Sequence, residues 1–207
     1  MSGIIVDIGT GDGTFTYQVA KDNPDRFVIG VDPNQKGLEK TSNRIYKKEQ
    51  RGGLKNALYV LANVENLPDE LTGIANQVFI NFPWSGLLKG LVLGEKKTWE
   101  SICKICQPGA IIDIVLGYDI SYEEKKAGVL GLPAISLDYL KTELAPKLIN
   151  YGFDLVEIRE INNDVLKDYP SAWAKKLGYG KPRKFYFLRL DMAVANLHRS
   201  GTIQTRE

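Results

Sequence analysis

Apolar residues fill positions 3–8 except for Asp7, and Phe15, Val19 and Ala20 then recur at helical spacing over 14–22. An apolar run without alternation suits a strand covered on both faces, as in a parallel sheet between helices. The helix is expected to stop at Asn23-Pro24, because the residue before proline avoids helical torsion angles. The pattern predicts further strands over 26–31, 56–61, 77–82, 109–116, 153–161 and 184–190. It predicts long helices over 34–51 and 138–150, with Pro146 kinking or shortening the second. Trp99, Ile102, Cys103 and Cys106 share one helix face, which places Trp99 in the core. Strands alternating with helices give an α/β, doubly wound sheet.

Composition adds bounds. The 207 residues are 43% hydrophobic and 25% charged, ordinary values for a globular protein. A single domain over 1–191 is expected, with insertions near 119–137 and 162–183 and a polar, disordered tail over 192–207. No apolar run reaches the length of a membrane span and no signal peptide is expected, so the protein is assigned to the cytoplasm and no membrane partner is expected. Cys103 and Cys106 are the only cysteines and His198 the only histidine, so no metal site is expected and the cysteines are read as packing residues. The net charge is only +2, so any nucleic-acid surface must come from how charge is distributed.

The turn Asp7-Ile8-Gly9-Thr10-Gly11-Asp12-Gly13 leaves the first strand and opens the first helix. Such a turn brings backbone N–H groups close to a ligand. Asp12 argues against phosphate, which its carboxylate would repel. An acid at the strand end followed by alternate glycines better fits S-adenosylmethionine (SAM), whose methionine end carries an ammonium. Asp32 ends the second strand, where an acid can accept two ribose hydroxyls; alternatively, with Pro33 following, it caps the next helix. The loop Asn63-Val64-Glu65 could hydrogen-bond an adenine ring or simply connect elements.

Two regions suggest RNA. On the 34–51 helix, Lys36, Lys40, Arg44, Lys47, Lys48 and Arg51 fall within about a third of the circumference, opposite Leu38 and Ile45. That stripe is either a solvated face or a phosphate-binding one. Between Ser171 and Leu190 stand six basic residues (Lys175, Lys176, Lys181, Arg183, Lys184, Arg189) and no acid, interleaved with Trp173, Tyr179 and Tyr186. Trp84 lies in Asn81-Phe82-Pro83-Trp84, a partial match to the Asn-Pro-Pro-Tyr motif of DNA and protein amide methyltransferases. An exposed tryptophan at that edge is a base-stacking platform.

Seven strands alternating with helices, the last antiparallel, form the Rossmann-like layout of class I SAM-dependent methyltransferases. From Ile5 to Leu190 the chain resembles the aminoglycoside-resistance 16S rRNA (adenine-1408-N1) methyltransferases. The segments that carry the resemblance are Asp7–Gly13, Gly30-Val31-Asp32-Pro33, Phe82-Pro83-Trp84, Ser121–Glu124 with Gly131-Leu132-Pro133, and Ser171-Ala172-Trp173-Ala174-Lys175. The resemblance implies that Asp7, Gly9, Gly11 and Gly13 hold SAM, Asp32 its ribose, and Asn63, Val64 and Glu65 its adenine. Asn81 is counted on the cofactor side, although the family carries an apolar residue there. Trp84 and Trp173 would clamp a flipped adenine, with Ser171 supporting the connector. Arg183, Lys47, Lys48 and Glu123 would face rRNA, joined on charge by Lys40, Arg44, Lys175 and Lys181. The implied partner is 16S rRNA in the 30S subunit, met by a monomer. Other readings stay open: a tRNA or N6-adenine methyltransferase, or a non-catalytic RNA-binding module.

Overall fold

The computed structural model describes residues 2–117 and 131–194. Seven strands form one sheet in the order β3-β2-β1-β4-β5-β7-β6. They are β1 (Ile4–Ile8), β2 (Phe27–Val31), β3 (Ala57–Val60), β4 (Ala75–Asn81), β5 (Cys106–Leu116), β6 (Phe153–Ile161) and β7 (Phe185–Met192). Strands β1 to β5 are parallel, and β7 runs antiparallel between β5 and β6. The order reverses at β1, so a crevice opens beyond the carboxyl ends of β1 and β4, where open α/β sheets bind ligands.

Helices cover both faces. On one, α3 (Ser85–Leu93), α4 (Lys96–Ile105) and the helical run α5 (137–149) close the main core, where Trp99 is fully buried against Phe153. The Trp99 indole N–H donates to the Leu91 carbonyl at 3.3 Å, satisfying the polar atom of this core tryptophan. Cys106 is buried in the same core, and burial pushes its thiol up to about 12, so it stays protonated. On the other face α1 (Thr14–Asp22) and α2 (Gln35–Ile45) pack over β1 to β3. Pro146 neither ends nor breaks α5. The turn over Leu140–Leu144 widens, with the Ala145 N–H reaching back to the Leu140 carbonyl, and the wide turn makes room for the proline ring.

Other boundaries differ from those expected. The predicted 34–51 helix ends at Ile45, because the Ile45 carbonyl is taken by the Leu54 N–H at 2.9 Å as the chain folds back through Gly52-Gly53. A Cβ at Gly53 would lie 1.7 Å from the Lys47 carbonyl oxygen, so only glycine permits that return. Lys47 and Lys48 therefore leave the helical stripe. Strand β4 stops at Asn81 because Phe82 adopts φ +51°. Strand β7 continues through Met192, which pairs with Phe153. The expected tail beyond residue 194, with His198, and the Ser121–Glu124 segment lie outside the described residues. Among the described residues no helix is long and apolar enough to cross a membrane.

Candidate cofactor turn and base slot

At the carboxyl end of β1 the turn 9–13 carries three left-handed glycines, with φ of +74°, +63° and +73° at Gly9, Gly11 and Gly13. A side chain at any of them would be strained. A Cβ would also meet Leu87 at 2.9 Å from Gly9 and Tyr59 at 2.6 Å from Gly13, whereas nothing stands within 4 Å of the Gly11 position. Open space thus lies against the middle of the turn.

Four N–H groups of this turn are used inside the protein. Gly9 and Thr10 both donate to the Val31 carbonyl, Gly13 donates to the Thr10 carbonyl, and Gly11 donates to the Asp32 carboxylate at 2.9 Å. With these donors used inside the protein, the turn offers little to a phosphate. That agrees with the argument from Asp12, whose carboxylate instead accepts the Thr14 N–H and starts α1.

Asp7 is buried beneath the turn and accepts a hydrogen bond from Thr16 Oγ1 at 2.7 Å, with Thr10 Oγ1 2.7 Å from the same hydroxyl. Burial raises its pKa to about 6, the two threonine hydroxyls oppose the shift, and the nearby Asp32 charge adds to it. Asp32 is the turn's second anchor. One oxygen accepts the Gly11 N–H and the other the Asn34 N–H at 2.8 Å. It does not cap α2; Asn34 does, accepting the Gly37 N–H. Across the crevice Asn63 is exposed, Val64 is buried in the following helical turn, and Glu65 pairs with Lys97 at 3.7 Å.

The two tryptophans converge. Trp84 (48% exposed) and Trp173 (53% exposed) line one slot with Phe82, Pro83, Leu88, Gly117, Leu177 and Arg183. Trp84 stands on a strained loop, since Phe82 and Ser85 on either side of Pro83-Trp84 both have φ of +51°. Such torsions cost on the order of 1–3 kcal/mol each and persist where the surroundings enforce them. Here the Phe82 N–H donates to the Val115 carbonyl at 2.8 Å, and the Phe82 ring packs edge-on against Phe185 and Tyr169.

Trp173 lies in α7 (Ala172–Gly178), which follows α6 (Asn163–Lys167) in the connector between β6 and β7. Ser171 caps α7 through Ala174 N–H and lies half-buried. Lys176 Nζ sits 5.3 Å from the Trp173 ring centroid. Asn163 ties the connector together, donating to the carbonyls of Leu177 and Lys181 and accepting the Arg183 N–H at 3.0 Å.

The predicted basic residues sort into groups. Lys36, Lys40, Lys47, Lys48, Lys175 and Lys181 are exposed. Lys47 and Lys48 line a cavity of about 260 Å³ with Lys55, which is paired to Glu49 at 2.6 Å. Arg44 is drawn onto the Tyr17 ring, 4.1 Å from its centroid. Arg189 leaves the expected RNA surface: it lies on the sheet face, bonded twice to Asp113 at 2.7 and 3.0 Å. Tyr186 leaves it too, being buried in the core. Glu123 lies outside the described residues. The sequence pattern does not mark Thr16, Tyr59 or Tyr169, because their partners Asp7, Gly13 and Asn81 belong to other elements.

A family model described as NpmA: 16S rRNA (adenine(1408)-N(1))-methyltransferase matches residues 1–192. The chain belongs to this family. It is 36% identical over 182 residues to the 16S rRNA (adenine(1408)-N(1))-methyltransferase of Escherichia coli, covering 87% of this chain and 83% of the relative. A tryptophan-to-alanine mutant of the family enzyme from Catenulisporales acidiphilia, solved with cosubstrate SAM, superposes with a TM-score of 0.84 at 29% identity, over 97% and 89% of the two chains. The aminoglycoside resistance methyltransferase NpmB1 superposes at 0.77 with 31% identity, over 93% and 88%. The expected seven-stranded class I fold and a SAM-dependent rRNA methyltransferase are thus the right reading of the sequence.

Proposed function

We propose that this methyltransferase modifies N1 of the decoding-site adenine, adenine 1408 of 16S rRNA, within the assembled 30S subunit, and so confers aminoglycoside resistance. The observation that carries the substrate side is one slot lined by two exposed tryptophans from separate loops, Trp84 and Trp173, at the edge onto which the glycine turn opens.

The cofactor side fits its ligand. The open space at Gly11, a turn with four of its N–H groups already used, and the carboxylates of Asp7 and Asp32 suit a cationic nucleoside rather than a phosphate. Gly9, Gly11, Gly13 and Asp7 would hold the methionine end, Asp32 the ribose, and Asn63, Val64 and Glu65 the adenine, with Asn81 beside them. When bound, SAM supplies an activated methyl group on a sulfonium.

The chain's own residues have the remaining work of orientation. Adenine N1 is a neutral lone-pair nucleophile at pH 7, so no general base is required. Alignment supplies the gain. Extruding the base costs a few kcal/mol. Stacking on Trp84 and Trp173, at about 1–3 kcal/mol per contact, offsets most of that. Ser171 fixes the start of the Trp173 helix. Lys40, Arg44, Lys47, Lys48, Lys175, Lys181 and Arg183 would set the enzyme on folded rRNA phosphates, with Glu123 facing the same RNA. The enzyme acts as a cytoplasmic monomer.

N1 methylation blocks Watson–Crick pairing. Reverse transcription across 16S rRNA from 30S subunits treated with enzyme and SAM should therefore stop at the decoding-site adenine, and a host expressing the chain should lose aminoglycoside sensitivity. Absence of the stop, with radiolabel from SAM entering another RNA, would overturn the substrate assignment.

A further inference from the structure

The two loops that carry the tryptophans are joined by a side-chain hydrogen bond. The Tyr169 hydroxyl donates to Asn81 Oδ1 at 2.5 Å. Asn81 ends β4 three residues before Trp84, and Tyr169 precedes Trp173 by four residues in the connector. The phenol is wedged at the sheet edge: its ring stacks on Phe15 of α1 at 5.6 Å and 13°, and Phe82 meets it edge-on at 5.8 Å. Its carbonyl accepts the Ser171 N–H at 2.8 Å, so the ring and the α7 cap are held as one unit. Burial, with Asp7 and Asp113 nearby, pushes the hydroxyl well above the ordinary tyrosine range, which keeps it a donor. Asn81 Nδ2 is buried with no hydrogen-bond partner among the described residues, so the bond to Tyr169 is what holds this amide in place.

We propose that Tyr169 is a positioning residue for methyl transfer, its hydrogen bond to Asn81 fixing the spacing of the Trp84 and Trp173 rings above the cofactor turn. Tyr169 is not itself a lining residue of the slot, though its ring meets Phe82, which is; it acts through the segments it joins. The inference rests on the two-tryptophan slot. A misplacement of about 1 Å can lower turnover on the order of a hundredfold, and loss of one tether between otherwise supported loops should have a smaller effect.

The test uses the full chain with 30S subunits and saturating SAM, comparing Tyr169→Phe, Asn81→Leu and the double variant. Melting temperature, SAM Kd by titration calorimetry, and kcat and KM for 30S are measured for each. Each single change should lower kcat by about tenfold, leave the 30S KM and, for Tyr169→Phe, the SAM Kd within about twofold, and the double should be no slower than the singles, as expected for partners in one interaction. If Tyr169→Phe fails to fold, Asn81→Leu must still show the kcat loss. A kcat within twofold of the parent, or losses that multiply in the double variant, would overturn the inference. A loss of kcat that vanishes on cooling well below the melting temperature would also overturn it, as a stability effect. Trp173→Ala serves as the control: if it keeps full turnover the slot itself fails, whereas loss in Trp173→Ala with normal Tyr169→Phe defeats the tether alone.

Discussion

Asp32 accepts the Gly11 N–H at 2.9 Å, and this bond locks the cofactor turn to the end of the neighbouring strand. The same carboxylate is the expected ribose acceptor, so one residue both shapes the site and would bind in it. Asp32→Ala removes the acceptor and leaves the part-buried Gly11 donor without a partner, a loss of about 1–3 kcal/mol. Melting should report that destabilisation, and calorimetry should show SAM affinity reduced at least tenfold.

The glycines separate by what a methyl group would meet. Gly11→Ala forces a left-handed alanine, about 1–2 kcal/mol, into open space, so it should fold and yet bind SAM poorly. Gly13→Ala carries the same strain and drives a Cβ to 2.6 Å from Tyr59, which itself holds the Gly13 carbonyl at 2.8 Å. Its melting temperature should fall further than that of Gly11→Ala. The reverse order would contradict this packing.

Asp7 makes both stability and cofactor affinity depend on pH. Its folded value of about 6 lies above the ordinary 3.8. Between those values Asp7 holds more proton in the folded protein than in the unfolded chain, so its contribution to stability is greatest below about pH 4 and declines as pH rises through 6. The difference amounts to about 3 kcal/mol at neutral pH. Asp7→Asn should flatten that slope in denaturant unfolding. SAM binding should move the opposite way in the parent, weakening as pH falls below about 6 and the carboxylate that would face the ammonium becomes neutral; Asp7→Asn should bind weakly at every pH.

Trp84→Ala and Trp173→Ala each remove one stacking face, worth about 1–3 kcal/mol. Both should retain SAM binding and lose between about fivefold and a hundredfold or more in turnover.

Lys47 and Lys48 are predicted to act through charge alone. Replacing either by alanine should weaken binding to 30S, lower the slope of log affinity against log salt by about one, and leave the SAM Kd unchanged.

The legible part of this molecule was the strand–turn–helix geometry at the carboxyl edge of β1 and β2. Asp7, the three glycines and Asp32 stand close together in sequence because a strand–turn–helix unit and the next strand suffice to build that half-site. The basic helix was harder to read. Periodicity carried it to Arg51, but a backbone bond from Leu54 to Ile45 ends it, and tertiary return paths of that kind leave no periodic mark. Tyr169 stayed hidden for a similar reason, since its partners Phe15 and Asn81 come from α1 and β4, far away along the chain. Arg189 and Tyr186 were misplaced because alternation in β7 sends them to opposite faces of the sheet, one to pair with Asp113 and one into the core.

The position of β7 sets a timetable for folding. Among the described residues β6 pairs with no strand except β7, and β7 follows every other strand in the sequence. During synthesis the cofactor half, β1 to β5, can form first, while β6 and the connector bearing Trp173 stay without a neighbour until residues near Met192 leave the ribosome. A chain interrupted before that point would keep the half proposed to bind the methyl donor and lack the half proposed to hold the acceptor base.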